Sequence, residues 1–298
     1  MKKNLEAIKI CVYLCLCAVS TVVFVPSAFA QTAPLLKRTT YKTEKIDFGA
    51  GGTLSIVGAP EGSITIEGWR KNEIEITAEV EVQAANETDL ALLAKVNTFT
   101  VDEDFGHVRV GSVGTYDKNY MKPLAKKFPK NLYNMPFRID YRIKVPLFCD
   151  LEIDGGRGDF NLSGVEGAIQ IKILESNAKL DLVGGTLAAT VGSGSVDVTI
   201  PTRSWRGRSV EVQLAKGNVN VFFAPNLNAN VSAAILRSGQ IENSYALLKP
   251  LERAKFTEKS VVAKSGGGGA ALSFTVGDGI IKLAAIEKQN PTQNRRLQ

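Results

Sequence analysis

Apolar and polar residues alternate with a period of two along most of the chain, the pattern of strands that bury one face. It is clearest in Leu54/Ile56, Ile64/Ile66, Ile74/Ile76, Val80/Val82, Phe99/Val101, Val108/Val110 and Ile139/Tyr141/Ile143/Val145. One segment breaks it. Asn86-Glu87-Thr88-Asp89 followed by Leu90, Leu92, Leu93 and Val96 predicts a capped helix of about three turns, closed before Phe99.

From Leu151 onward the strands repeat. A glycine, one polar residue and then apolar-x-apolar recur at Gly158/Phe160/Leu162, Gly194/Val196/Val198, Gly217/Val219/Val221 and, shortened, Gly239/Ile241. Ala178/Leu180/Leu182 fills the missing copy with alanine in place of glycine, and Gly62/Ile64/Ile66 and Gly279/Ile281/Leu283 repeat the unit elsewhere. The glycine-equivalent position advances 20, 16, 23 and 22 residues from copy to copy, with a second alternating strand (Ile169/Ile171/Ile173, Leu187/Ala189/Val191, Val210/Val212/Leu214) in each interval. A repeat of about twenty residues with two short strands predicts units that bury their apolar faces by stacking on one another. Glycine suits the corner, where a tight turn needs a backbone that tolerates positive φ. Asp159, Asn161, Asp181, Asp197, Asn218 and Asn220 should then face solvent. The expected fold is all-β, a β-solenoid or β-roll of glycine-cornered rungs with one short helix in its N-terminal part. An ordinary β-sandwich is the rival.

The first thirty residues read differently. Lys2, Lys3 and Lys9 precede the apolar run Ile10 to Val25, which ends at Pro26 and Ala28-Phe29-Ala30. That order predicts a cleaved secretory signal peptide over 1–30. The expected organisation continues with a flexible linker over 31–45, an N-terminal β region with the helix and a basic insertion over 46–145, repeats over 146–285 and a polar tail over 286–298. At 44% apolar and 22% charged the composition is that of a folded protein. Cleavage would leave one cysteine, Cys149, and one histidine, His107. A Cys/His zinc site and an intrachain disulfide are then impossible, and no cofactor or metal is expected.

The order of elements resembles a bacterial family of adhesin-like domains of unknown function, exported β-solenoid proteins. The matching stretches are Gly62-Ser-Ile-Thr-Ile-Glu-Gly-Trp69, the strand Glu75 to Val82 with the helix after it, Tyr141-Arg-Ile-Lys-Val-Pro146 leading into Leu151-Glu-Ile-Asp-Gly-Gly156, and the repeated Gly-x-apolar-x-apolar units. The resemblance covers most of residues 46 to 285 and implies a β-helical fold and an envelope location. It carries no activity with it, and the basic insertion, roughly 112 to 137, departs from it.

Most short motifs have plain structural readings. Arg157-Gly158-Asp159, a tripeptide that some receptors bind, falls on a repeat corner, and a single copy near Gly155-Gly156 is no calcium-binding tandem. Gly266 to Gly269 precede a strand rather than a helix and carry Lys264 before rather than after them, so they predict a connection and not a phosphate loop. His107 reads as a lone exposed histidine at the start of a strand, and Cys149 as a buried small apolar residue. Asp102 and Asp104 share one strand face, as glycoside chemistry could use, but acidic turns are common.

Tyr116 to Lys144 stands apart, with eight basic residues against two acidic ones and six interleaved aromatic rings. Cations with aromatics suit an anionic partner, the charges pairing with phosphate or carboxylate and the rings stacking on sugars or sitting at a lipid interface. Lys118, Lys122, Lys126, Lys127 and Lys130, with Tyr120 and Tyr133, are the candidate binding residues; the alternative is a solvated loop whose rings tuck onto the body. The expected function is an exported, non-enzymatic envelope or surface protein, periplasmic or extracellular, that binds or scaffolds. Its expected partners are anionic polysaccharide, lipid headgroups or envelope proteins, and export argues against nucleic acid. The alternatives are a carbohydrate-active lyase or hydrolase on the same fold, with no catalytic residue assigned, and end-to-end self-assembly.

Overall fold

The computed structural model describes residues 34–251 and 254–286, so the signal-peptide reading and nearly all of the C-terminal tail lie outside the described residues. The described chain is all-β, with sixteen strands in one hydrogen-bonded sheet and little helix. In chain order the strands are β1 (Leu36–Asp47), β2 (Thr53–Val57), β3 (Ile64–Trp69), β4 (Glu73–Ala84), β5 (Thr98–Asp104), β6 (His107–Val113), β7 (Phe137–Pro146), β8 (Asp150–Arg157), β9 (Phe160–Ser163), β10 (Glu166–Asp181), β11 (Gly184–Ile200), β12 (Ser209–Phe223), β13 (Ala229–Asn243), β14 (Leu248–Pro250), β15 (Ser260–Ser265) and β16 (Ala271–Ala285). Helix α1 (Glu87–Val96) links β4 to β5, and a single turn α2 (Lys118–Met121) lies between β6 and β7.

The apolar alternation has a direct structural meaning. Parallel in-register pairing stacks like on like: Leu54, Leu151, Ile169, Leu187, Val210, Leu272 and Val231 form one buried column. Ile64, Phe160, Ala178, Val196, Val219, Ile281 and Ile241 form a second. The long strands β10, β11, β12, β16 and β13 carry both columns, one before and one after a corner. We call these halves the first and second arms. Their buried faces meet across the bend, where the rings of Phe223 and Phe274 lie 6.3 Å apart; among the N-terminal strands Phe99 of β5 and Tyr141 of β7 lie 5.9 Å apart. On the outer face polar side chains bond from strand to strand, a feature the sequence reading did not include: Asn177 donates to Asp159 and Ser195 to Asn177, and Asn220 donates to Asp197.

The corner is a column of glycines. Gly194, Gly217, Gly279 and Gly239 all have φ between +121° and +146° and sit directly against one another. A Cβ on any of them would come within 2.0 Å of a neighbouring carbonyl oxygen. The residue opposite Gly194 is Ser176, not Ala178, and Ala178 instead lies beside Phe160 and Val196 in the apolar column. The corner therefore advances by 18 residues twice, from Gly158 to Ser176 to Gly194, rather than by 20 and 16. Ser176 is buried and its hydroxyl has no hydrogen-bond partner. Ser176→Ala should raise stability by about 1 kcal/mol, because it removes a stranded polar group without altering the backbone. A lower denaturation midpoint for the variant would refute this.

Three further features depart from the sequence reading. Residues 36–45, read as a loose linker, are most of β1, a twelve-residue strand antiparallel to β4. Its side chains are mainly polar on both faces, so no alternation marked it; Lys37–Glu81 and Lys45–Glu75 pairs support it across the ladder. The boundary near 145 is crossed by pairing, since β2 and β3 lie directly against β8 and β9. The last strand is also out of sequence order: β16 lies between β12 and β13. Residues 266–270 carry the chain from β15, on one side of β13, to β16 on the other. They pass over Asn228, whose side chain accepts from the Gly267 amide and would meet a Cβ on Gly266 at 2.0 Å.

Helix α1 forms where its sequence signals place it. The Asn86 side chain accepts from the Asp89 amide, and Leu90, Leu93 and Val96 are buried. Asn97, also buried, ends the helix by donating to the Leu93 carbonyl and accepts from the Thr115 amide. That side chain ties the helix to the start of the basic insertion.

Candidate functional site

The insertion between β6 and β7 is pinned at both feet and in the middle. Thr115 is held by Asn97, and the Tyr116 ring stacks on Phe137 at 5.6 Å. The Tyr116 hydroxyl donates to the Ser112 carbonyl, and burial pushes its pKa up to about 12. Between the feet, Met121, Phe128 and Leu132 are buried anchors. The Asp117 carboxylate caps α2 by accepting from the amides of Asn119 and Tyr120.

With Met121, Phe128 and Leu132 turned in, the five lysines turn out. Lys118, Lys122, Lys126, Lys127 and Lys130 are all exposed. Among the described residues none of them has a carboxylate within 4.0 Å. Two other cations of the basic region are committed elsewhere, Arg138 to Asp140 at 2.8 Å and Lys144 to Glu75 at 3.3 Å. Tyr120 and Tyr133 pack against the core, Tyr133 edge-on to Phe128 at 5.3 Å. Their rings hold the loop in place, and the lysines form its outer surface.

A second group of polar side chains is assembled on the outer face of the first arm, where the sequence offered only a lone histidine. β2 lies between β6 and β8, in register Ser55 with Arg109 and with Glu152. Glu152 in turn faces Gln170, and Asp154 faces Lys172. Because β2 presents Ser55 and Val57 outward while its neighbours present long side chains, the strand becomes the floor of a trough. Ser55, Val57, His107, Arg109, Glu152, Asp154, Gln170 and Lys172 line it, around a volume of 340 Å³. His107 Nε2 lies 2.7 Å from Ser55 Oγ, and Ser55 donates to Glu152 Oε2 at 2.7 Å. The hydroxyl's single proton is thus given to Glu152, and His107 must donate through Nε2. This polarity is the reverse of a histidine that activates a serine.

No family model matches the chain, and no curated protein does. Among solved structures, a protein provisionally assigned to cell adhesion from Clostridium sporogenes is similar at a TM-score of 0.44 and 12% identity, covering 84% of this chain and 100% of the other. A provisionally assigned adhesin from Bacteroides fragilis follows at 0.32 and 11%, over 83% of this chain and 97% of the other. A provisionally assigned lipid-binding protein from Parabacteroides distasonis is similar at 0.23 and 8%, over 83% and 97%. Similarities this slight leave the functional reading to the chain's own geometry.

The remaining motifs fall into structural places. Arg157 pairs with Glu175 at 3.4 Å, and Gly158 and Asp159 form a corner. Cys149 is buried, its thiol donating to the Asp150 carbonyl and pushed up to about 12 by desolvation. Among the described residues no three His, Cys, Asp or Glu side chains gather as a metal site, and no helix is long and apolar enough to cross a membrane.

Proposed function

We propose that this chain is an exported, non-enzymatic envelope or cell-surface binding and scaffolding protein, a β-solenoid whose cationic insertion docks on anionic polysaccharide or lipid headgroups. One observation carries the reading: five exposed lysines without acidic partners stand on a loop fixed by Met121, Phe128 and Leu132. An uncompensated cluster of one sign repels itself, so holding it on an ordered loop raises the local potential felt by an anionic surface. The basic, apolar and Ala-x-Ala order of residues 1–30 supports export. The stacked columns and glycine corner support the solenoid.

The test is co-sedimentation of residues 31–298 with vesicles of anionic and of zwitterionic lipid, and with an acidic polysaccharide, at low and high salt. Binding to an anionic partner that falls steeply with salt is the expected result. No binding to any anionic partner at low salt would defeat the proposal.

A second reading, a carbohydrate-active lyase or hydrolase, is favoured by the trough, which brings His107, Arg109, Glu152, Asp154 and Lys172 to one face. One feature weighs against it: a glycoside hydrolase sets two carboxyl groups on either side of the scissile bond, whereas Glu152 and Asp154 both stand on β8, along one wall of the trough. Release of new reducing ends or unsaturated sugars from acidic polysaccharides would establish this second reading in place of the first.

A further inference from the structure

We infer that the trough over β2 is a saccharide-binding site, separate from the lysine loop, and that it takes an acidic sugar residue. Different strands supply the two kinds of group. One wall, from β6, carries the Arg109 cation and the His107 ring; the other, from β8, is acidic, with Glu152 and Asp154. Behind the acidic wall, β10 adds Gln170 and Lys172.

These charges do not satisfy one another. Among the described residues, Arg109, Lys172, His107, Glu152 and Asp154 form no ion pair. Elsewhere on the same sheet, opposite charges on neighbouring strands do pair, as in Lys282–Glu242 and Arg237–Asp278. In the trough β2 keeps Arg109 and Glu152 apart by placing the small Ser55 between them, while Asp154 and Lys172, in register on neighbouring strands, stay more than 4.0 Å apart.

The charges and the floor select the ligand. Ser55 bridges His107 to Glu152, each 2.7 Å from its Oγ, so a six-membered ring does not fit between that pair and would lie further along the trough, over Val57, with Arg109 and Asp154 at its edges. A carboxylate on one edge of the ring would meet the Arg109 guanidinium, whose planar fork suits it, with His107 beside it. Hydroxyls on the other edge would donate to Glu152 and Asp154. Val57, 36% exposed, supplies an apolar floor for the ring's face. The 340 Å³ volume lies at the small end of small-molecule sites. The two fixed hydrogen bonds of Ser55 hold His107 and Glu152 in place before a ligand arrives. A neutral sugar would gain nothing from the Arg109 charge, and a simple anion would be repelled by the two carboxylates.

Isothermal titration with a galacturonate oligomer and with its methyl-esterified form, on the full folded protein, tests the site. The acidic oligomer should bind, and esterification should weaken binding at least tenfold. Arg109→Ala should weaken the acidic oligomer at least tenfold and leave the esterified form little changed. Lys172→Ala, further from the ring, should cost less. Both positions are exposed, so circular dichroism should be unaltered. Lys126→Glu with Lys127→Glu should leave oligomer binding in place, which separates this site from the loop. The inference is overturned by an absence of binding at millimolar oligomer, by equal affinity for the esterified form, or by an Arg109→Ala protein that binds as the parent does.

Discussion

Gly217→Ala is expected to lower the melting temperature by roughly 5–20 °C, at about 2–4 °C per kcal/mol for a domain of this size. Gly217 has φ +133°, and an added Cβ would lie 1.8 Å from the Gly194 carbonyl oxygen. The unfavourable backbone region costs about 1–3 kcal/mol, and forcing atoms into a packed site costs about 1–3 kcal/mol more. Relaxation is blocked on both sides. β12 is hydrogen-bonded in register to β11 and to β16, and Gly279 of β16 already lies against Gly217. Moving the corner would therefore break two ladders. Gly106→Ala is the control, since Gly106 has φ +71° but nothing within 4 Å of its would-be Cβ. It should lose only the backbone component. Equal losses for the two variants would show that crowding at the corner does not matter.

Reversing Lys122, Lys126, Lys127 and Lys130 to glutamate should reduce affinity for anionic vesicles by at least a thousandfold. Each basic residue near an anionic surface contributes about 1 kcal/mol, so four are worth about three decades, and reversal adds repulsion. The parent's own binding should weaken as salt shortens the screening length from about 10 Å at 0.1 M to about 3 Å at 1 M. The lysines carry no structural ion pairs and the loop's anchors are untouched, so the variant should melt as the parent does. Net charge alone is controlled by position. Reversing Lys126 and Lys127 should weaken binding strongly, whereas reversing Lys249 and Lys264, on β14 and β15 at the other end of the sheet, should do little. Equal losses from the two pairs would mean that overall charge, not the loop, governs attraction.

The strands and the helix were legible because their signals are local. Alternation within five or six residues marks a buried face, and Asn86 announces the helix. Register was less legible. Ala178 offered the small side chain expected at a corner, but the corner needs a backbone position, and that position holds Ser176. β1 was hidden because an edge strand such as Thr39 to Lys45 is held by its backbone ladder and cross-strand charge pairs rather than by an apolar face. The lysine loop could be read as charge, but not as ordered, because the helix-like spacing of its anchors Met121, Phe128 and Leu132 is interrupted by Pro123 and Pro129. The trough could not be read at all. Ser55, His107, Glu152 and Gln170 come from four stretches that meet only through parallel pairing, and the sequence does not say which strands are neighbours.

The place of β16 bears on how the molecule comes together in time. A chain synthesised from its N-terminus delivers β12 and β13 well before the strand that belongs between them. Until residues 271–285 arrive, β13 with β14 and β15 has no partner in the main stack except across an empty slot one strand wide. Contacts of such long sequence separation form late and slowly. Assembly thus ends as a zipper closed from its last tooth, and a nascent or truncated chain lacking that tooth would present two unpaired edges to its surroundings.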